Sequence, residues 1–121
     1  MSVRGIRGAT VAEDDQPEAI LQATQELLER ILKANPSLRP EDIASALFTV
    51  TGDLQSAYPA RAAREIGWQL VPLICAQEIP VPEGLQHCIR VLIHWNTDLP
   101  AKTVKHVYLR QAASLRPDLP R

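Results

Sequence analysis

The chain has 121 residues, with 13 Lys and Arg against 14 Asp and Glu and a formal net charge of -1. That length supports one domain spanning 1–121 with a real core and leaves no room for a second; the near-neutral balance excludes a global basic field able to hold nucleic acid or an anionic membrane. The first residues, Met1 to Arg7, carry no signal-peptide apolar core, and no run approaches the roughly eighteen residues that span a bilayer, so the expectation is a cytoplasmic protein.

Asp15 followed by Glu18, with Pro17 between them, marks a helix start. Ile20, Leu21, Thr24, Leu27, Leu28 and Ile31 then recur at helical spacing, which predicts a long helix ending near Asn35-Pro36. Its other face, with Gln22, Gln25, Glu26, Glu29, Arg30 and Lys33, reads as an ordinary solvated surface. After Pro40, residues 46–51 have the branched and aromatic content of a strand, closed by Gly52-Asp53. Pro59 opens a short helix over 58–66 that Gly67 stops. Residues 71–78 and the apolar run 88–93 read as two further strands. The turn-rich segment Pro80-Val81-Pro82-Glu83-Gly84 separates them, which predicts an antiparallel pair. After a turn at Asn96-Thr97-Asp98 and Pro100, residues 104–109 read as a strand, and residues 115–121 are Pro-rich and read as a loose tail.

Two charges stand out because they sit in apolar runs: Arg90 inside 88–93 and Glu78 at the end of 71–78. A charge on so apolar a strand is costly to bury unless it is paired or faces a ligand. The pair marks either a polar pocket built into a sheet or an internal ion pair that sets register. Strict alternation puts Arg90 with Cys88, Leu92 and His94 on one face, with Ile89, Val91, Ile93 and Trp95 on the other, and sends Cys75 and Glu78 to opposite faces. Cys75 and Cys88 lack CxxC spacing and read as buried thiols, and His87, His94 and His106 are too dispersed to form a ligand set, so no metal site is expected.

No Walker loop, Gly-rich dinucleotide fingerprint, GxSxG elbow or Cys-centred catalytic signature occurs in the chain. Covalent catalysis therefore has no obvious nucleophile. What remains is a set of arginines outside the long helix, Arg7, Arg64, Arg90 and Arg116, with Glu78 and Tyr108. Guanidinium groups grip carboxylates in a two-point fork, and a lone carboxylate among them suits a hydroxyl donor. The expected ligand is a small polycarboxylate bearing a hydroxyl.

The blocks Arg4-Gly5-Ile6-Arg7-Gly8-Ala9-Thr10, Thr51-Gly52-Asp53-Leu54, Tyr58-Pro59-Ala60-Arg61-Ala62-Ala63-Arg64, Cys75-Ala76-Gln77-Glu78, Cys88-Ile89-Arg90-Val91, His106-Val107-Tyr108-Leu109 and Leu115-Arg116-Pro117-Asp118-Leu119, with Val71-Pro72 and Thr97-Asp98 in order between them, resemble the AroH-class chorismate mutases. The resemblance covers almost the whole chain. It implies an isomerase that converts chorismate to prephenate by a Claisen-type [3,3] rearrangement, on the way to phenylalanine and tyrosine, without a cofactor. It implies an α+β fold, a mixed β-sheet packed with one long and one short helix, assembled as a homotrimer with sites at subunit interfaces.

Carried onto this chain, the resemblance makes Arg90, Glu78 and Arg7 the catalytic residues. Arg90 contacts the ether oxygen and a carboxylate, Arg7 a carboxylate, Tyr108 adds a hydrogen bond, and Glu78 with the Cys75 region takes the ring hydroxyl. Tyr58, Ala60, Arg61, Arg64, Leu73 and Ile74 line the pocket from the neighbouring subunit, and Leu115-Arg116 help to cover it. Because alternation turns Cys75 away from Glu78, its contact runs through backbone or the strand bulges there. Tyr58 stands where the family often has Phe and Arg61 where it has Lys, changes that keep size or charge. A trimeric YjgF-type small-molecule-binding or imine-deaminating protein is the alternative, and a purely structural oligomer with a buried Arg90–Glu78 pair is a third reading.

Overall fold

A computed structural model describes residues 2–118, and its strands and helices follow in the order β1 (Val3–Val11), α1 (Pro17–Ala34), β2 (Ile43–Val50), α2 (Pro59–Glu65), β3 (Leu73–Gln77), β4 (Cys88–Asn96) and β5 (Val107–Tyr108). Short 3-10 turns at Pro40–Asp42, Ala101–Thr103 and Arg110–Leu115 join them. The strands form one five-stranded mixed sheet in the order β3-β2-β4-β1-β5. β4 runs antiparallel to both neighbours, while β3 is parallel to β2 and β5 parallel to β1.

The α1 periodicity is expressed with one correction: Ile20, Thr24, Leu27, Leu28 and Ile31 are buried together with Ala23, whereas Leu21, expected on that stripe, is only half-buried and lies beside Gln22 and Gln25 of the solvated face. The buried apolar side chains pack on one face of the sheet in a single core with Ile6, Phe48, Ile89, Val91, Ile93 and Trp95. Each large aliphatic side chain buried this way contributes about 1.5–3 kcal/mol. The start of α1 differs in detail. Gln16 occupies the cap position without a side-chain cap. The Asp15 carboxylate instead accepts the Gln55 and Ser56 backbone N–H groups and the Ser56 hydroxyl, tying α1 to the loop before α2. The Ser56 hydroxyl bond, first among these, holds the Asp15 carboxyl below its ordinary range. At the far end, the Asn35 side-chain amide donates to the Ile31 and Lys105 carbonyls while its oxygen accepts the Lys105 N–H.

The expected antiparallel pairing of the Glu78 and Arg90 strands is corrected: β2 lies between them. The segment from Glu78 to His87 carries Pro80 and Pro82, which have no N–H to extend a ladder. β2 meanwhile buries Ile43, Ala46 and Phe48 and needs a neighbour on each edge. Several extents are also corrected, and the strand expected over 71–78 is limited to Leu73–Gln77. β2 begins earlier and β4 runs later than the apolar runs alone indicate, and the chain start forms a full strand, β1. The expected strand over 104–109 shrinks to β5, because Lys105 pairs with Asn35 instead of with β1, and the Arg7 N–H goes to the His106 ring. Leu115 closes a 3-10 turn whose Ala112 and Ala113 are buried, and residues 119–121 of the expected tail lie outside the described residues.

Gly8 sits where β1 passes under α1. A Cβ there would meet Ile31 Cδ1 at 2.8 Å, Leu27 Cδ1 at 3.2 Å and Val91 Cγ1 at 3.2 Å. Gly8→Ala is expected to destabilise the protein by about 1–3 kcal/mol, the usual cost of overpacking. Urea unfolding followed by circular dichroism measures it; an unchanged midpoint would show that α1 shifts freely.

Candidate active site

Alternation along β4 puts Ile89, Val91, Ile93 and Trp95 in the core and turns Arg90 to the opposite, uncovered face. The register aligns Arg90 with Thr49 of β2 and Ala9 of β1. Glu78, just beyond β3, is fixed by its N–H, which donates to the Val50 carbonyl at 2.8 Å. Its Oε2 lies 3.5 Å from Arg90 Nε, and the same oxygen accepts the Thr49 hydroxyl. The two charges therefore meet across β2 rather than across a shared strand edge. The Arg90 side chain remains 45% exposed and that of Glu78 26%. At that exposure the pair contributes no more than about 0–1 kcal/mol, and it does not serve as a core ion pair. It leaves guanidinium donors free to face a ligand.

Arg7 of β1 pairs in register with Leu92, next to Arg90, and its N–H donates to His106 Nδ1 at 3.0 Å. Tyr108 of β5 pairs with Ala9 and so shares the Arg90 face. Arg7, Glu78, Arg90 and Tyr108, with Gly8, Leu47, Thr49, Val91 and Leu92, line one cavity of ≈ 180 Å³. Arg116 binds Asp118 through two bonds, at 3.0 and 2.9 Å, with Tyr108 beside it. Those bonds raise the Arg116 pKa and lower that of Asp118. His106 is pushed below the ordinary histidine range by burial first and then by the Arg7 and Arg116 charges. Its ring therefore keeps the neutral form that accepts the Arg7 N–H.

The remaining expected site residues lie elsewhere. Tyr58, Arg61 and Cys75 line a separate groove of ≈ 480 Å³ with Ala57 and Pro59. Arg61 reaches Glu65 at 3.9 Å, and Arg64 is exposed on α2. Ala60 is buried, Leu73 packs on the core, and Ile74 stands exposed on the edge strand. Leu115 is half-buried at the end of its turn. None of these lines the Arg90 cavity. Cys75 aligns with Phe48, so its side chain faces the core side, and β3 pairs with β2 without a bulge there. Because the Glu78 N–H points at β2, alternation sends the Cys75 N–H and C=O off the sheet's free edge. Thr49, His106 and Asp118 join the site without having been singled out by sequence. The only signal for Thr49 was a polar residue alternating with Phe48. Among the described residues no cluster of His, Cys, Asp and Glu is arranged to hold a metal ion.

The chorismate mutase type I family model matches residues 3–119. The chain is 59% identical over 117 residues to Chorismate mutase AroH of Thermus thermophilus, covering 97% of this chain and 96% of that protein. It is 49% identical over 120 residues to Chorismate mutase AroH of Bacillus subtilis, covering 98% and 94%. Among solved structures, a chorismate mutase from Clostridium thermocellum matches with a TM-score of 0.88 and 47% identity, over 91% of this chain and 97% of that one.

Cys88, buried beside Arg90, has its thiol pKa raised, by burial first, with the Arg90 charge opposing. In a Cys75→Ala background Cys88 is expected to resist a disulfide reagent at pH 7 in native protein and to react at once in denaturant, because the thiolate is the nucleophile. Fast native labelling would mean that the Arg90 charge outweighs burial.

Proposed function

The chain belongs to the chorismate mutase type I family, and on that premise we propose that it isomerises chorismate to prephenate, a step in phenylalanine and tyrosine biosynthesis, as a single domain in the cytoplasm. No described helix is long and apolar enough to cross a membrane. The observation that carries this reading is the convergence of Arg7, Arg90, Glu78 and Tyr108 on one cavity whose lining holds no Ser, Cys, Lys or His. In a [3,3] rearrangement a C–O bond breaks while a C–C bond forms within one molecule. No proton moves and no covalent intermediate is needed. The enzyme has only to hold the compact conformer and to stabilise charge as it separates.

Each side chain answers one part of that demand. Arg90 donates to the ether oxygen as negative charge develops there, a fixed donor that requires no reorganisation at the moment of reaction. Glu78, held by Thr49 and beside Arg90, stabilises the cationic part of the transition state and accepts the ring hydroxyl. Arg7 takes a carboxylate in its fork and Tyr108 adds a hydrogen bond. Arg116 with Leu115 covers the opening. Cys75 contributes through its backbone at the free edge of β3.

The cavity's ≈ 180 Å³ falls below the roughly 300 Å³ at the small end of ligand pockets, so one chain supplies only part of a wall. We assign the rest to an adjoining copy in a homotrimer, through Tyr58, Ala60, Arg61, Arg64, Leu73 and Ile74 of the partner subunit. The exposure of Tyr58, at the start of α2, at 71% and of Ile74, on the edge strand β3, at 66% supports that assignment, since exposed large apolar side chains call for a cover.

Arg90→Lys keeps a charge but loses the planar fork, and kcat is expected to fall at least about 10²-fold with the circular dichroism spectrum unchanged. The loss of chorismate absorbance measures it; near-normal turnover would remove Arg90 from the ether oxygen. In the native protein kcat should stay flat from about pH 7 to 9, because the rearrangement moves no proton and burial with the Arg7 and Arg116 charges keeps His106 neutral there. A bell-shaped profile would point to proton transfer instead.

Assembly is tested by refolding Arg90→Ala and Arg64→Ala chains together. Some interfaces then pair two intact halves, and activity should reappear in mixed trimers verified by light scattering. An active monomer, or no recovery from well-folded single variants, places the whole site in one chain.

A further inference from the structure

Beside β5 lies a larger groove of ≈ 580 Å³, between the last turn of α1 and the segment from Lys102 to Leu109. Its floor is apolar, with Ala34, Val104, Val107 and Leu109, and its rim carries Arg30, Lys33, Lys102 and Lys105. Among the described residues none of these cations is paired with a carboxylate, although five other arginines are. The favourable end of a helix dipole accounts for Lys33 in the last turn of α1, but not for Lys102 and Lys105, which lie outside any helix of that length. In a chain whose formal net charge is -1, this is a local concentration of positive charge without internal use. The groove also has a definite end: Tyr108 lines both it and the Arg7–Arg90 cavity.

We propose that this groove is a capture surface that gathers the dianionic substrate and delivers it past Tyr108 to the catalytic cavity, with Arg30, Lys33, Lys102 and Lys105 acting at a distance from the chemistry. The inference rests on the chorismate mutase reading. A small molecule with two carboxylates on an apolar ring complements a basic rim over an apolar floor, because the ring can lie on the floor while the carboxylates stay hydrated beside the rim cations. Clefts lined by one sign of charge over low-dielectric walls raise association rates by about 10 to 10³, and the effect collapses as salt shortens the screening length below about 8 Å. The Asn35 amide fixes the backbone of Lys105, so this part of the rim does not drift from the groove. Arg30 and Lys33, which read from sequence as an ordinary solvated face, thereby acquire a role.

The test is chorismate turnover at several salt concentrations by the native protein and by a variant carrying Arg30→Gln, Lys33→Gln, Lys102→Gln and Lys105→Gln, with Arg39→Gln as a remote charge control. At low salt the fourfold variant is expected to lose about tenfold in kcat/KM with kcat unchanged, and the difference should vanish in roughly 0.5 M NaCl. The Arg39→Gln protein should match the native one. Equal kcat/KM and equal salt slopes in an active native protein and its fourfold variant would overturn the groove alone. So would a parallel loss of kcat, or a change of mass by light scattering, which would make the groove a chemical or a subunit contact. A native protein that leaves chorismate untouched would overturn both this inference and the function beneath it.

Discussion

The position of the Arg90 guanidinium depends on the burial of its neighbours, Ile89, Val91, Ile93 and Trp95, under α1. At about 1.5–3 kcal/mol for each large apolar side chain, those contacts outweigh the roughly 0–1 kcal/mol of a half-exposed ion pair with Glu78. A slip of one residue along β2 or β1 would drive Arg90 into the core and four apolar side chains into water. Register is therefore set by hydrophobic packing, and the charged pair takes the geometry it is given. The interior ion pair as a register device has the causation reversed.

Sheet order then does the rest. With β4 central and antiparallel to both neighbours, the uncovered face receives Arg7 from one side and Thr49 from the other, and Glu78 is delivered by the parallel strand beyond. Thr49 is the element that turns two opposite charges into an ordered arrangement: its hydroxyl occupies a Glu78 oxygen and leaves the other free. Positive charge exceeds negative on this face, which is the electrostatic condition for a ligand with two carboxylates.

Periodicity made the long helix and the faces of β4 legible, because each has a full period of large apolar residues, whereas the short helix was marked by Pro59 at its start and Gly67 beyond its end. β1 had no such signal. Its glycines and arginines break the alternation, and what marked the segment was its likeness to a known block. The partner of β3 was misread because chain proximity argued for a hairpin, while pairing was decided by where β2 could bury Phe48 on the α1 face. The site was legible as a list of arginines with Glu78 and Tyr108. Thr49 and His106 were not, since a threonine in a strand and a dispersed histidine carry no period, and their roles arise only when register brings them opposite an oxygen or an N–H.

Asn35 is a single buried amide at the end of α1, yet it performs for Lys105 the task that a neighbouring strand performs elsewhere, accepting its N–H and donating to its carbonyl. β5 has too few ladder bonds to hold itself, so the location of Tyr108 is inherited from the helix terminus. The phenol is thus an appendage of α1 as much as of the sheet. The same helix buries the neighbours of Arg90, so α1 holds both the strand that presents the guanidinium and the segment that carries the phenol.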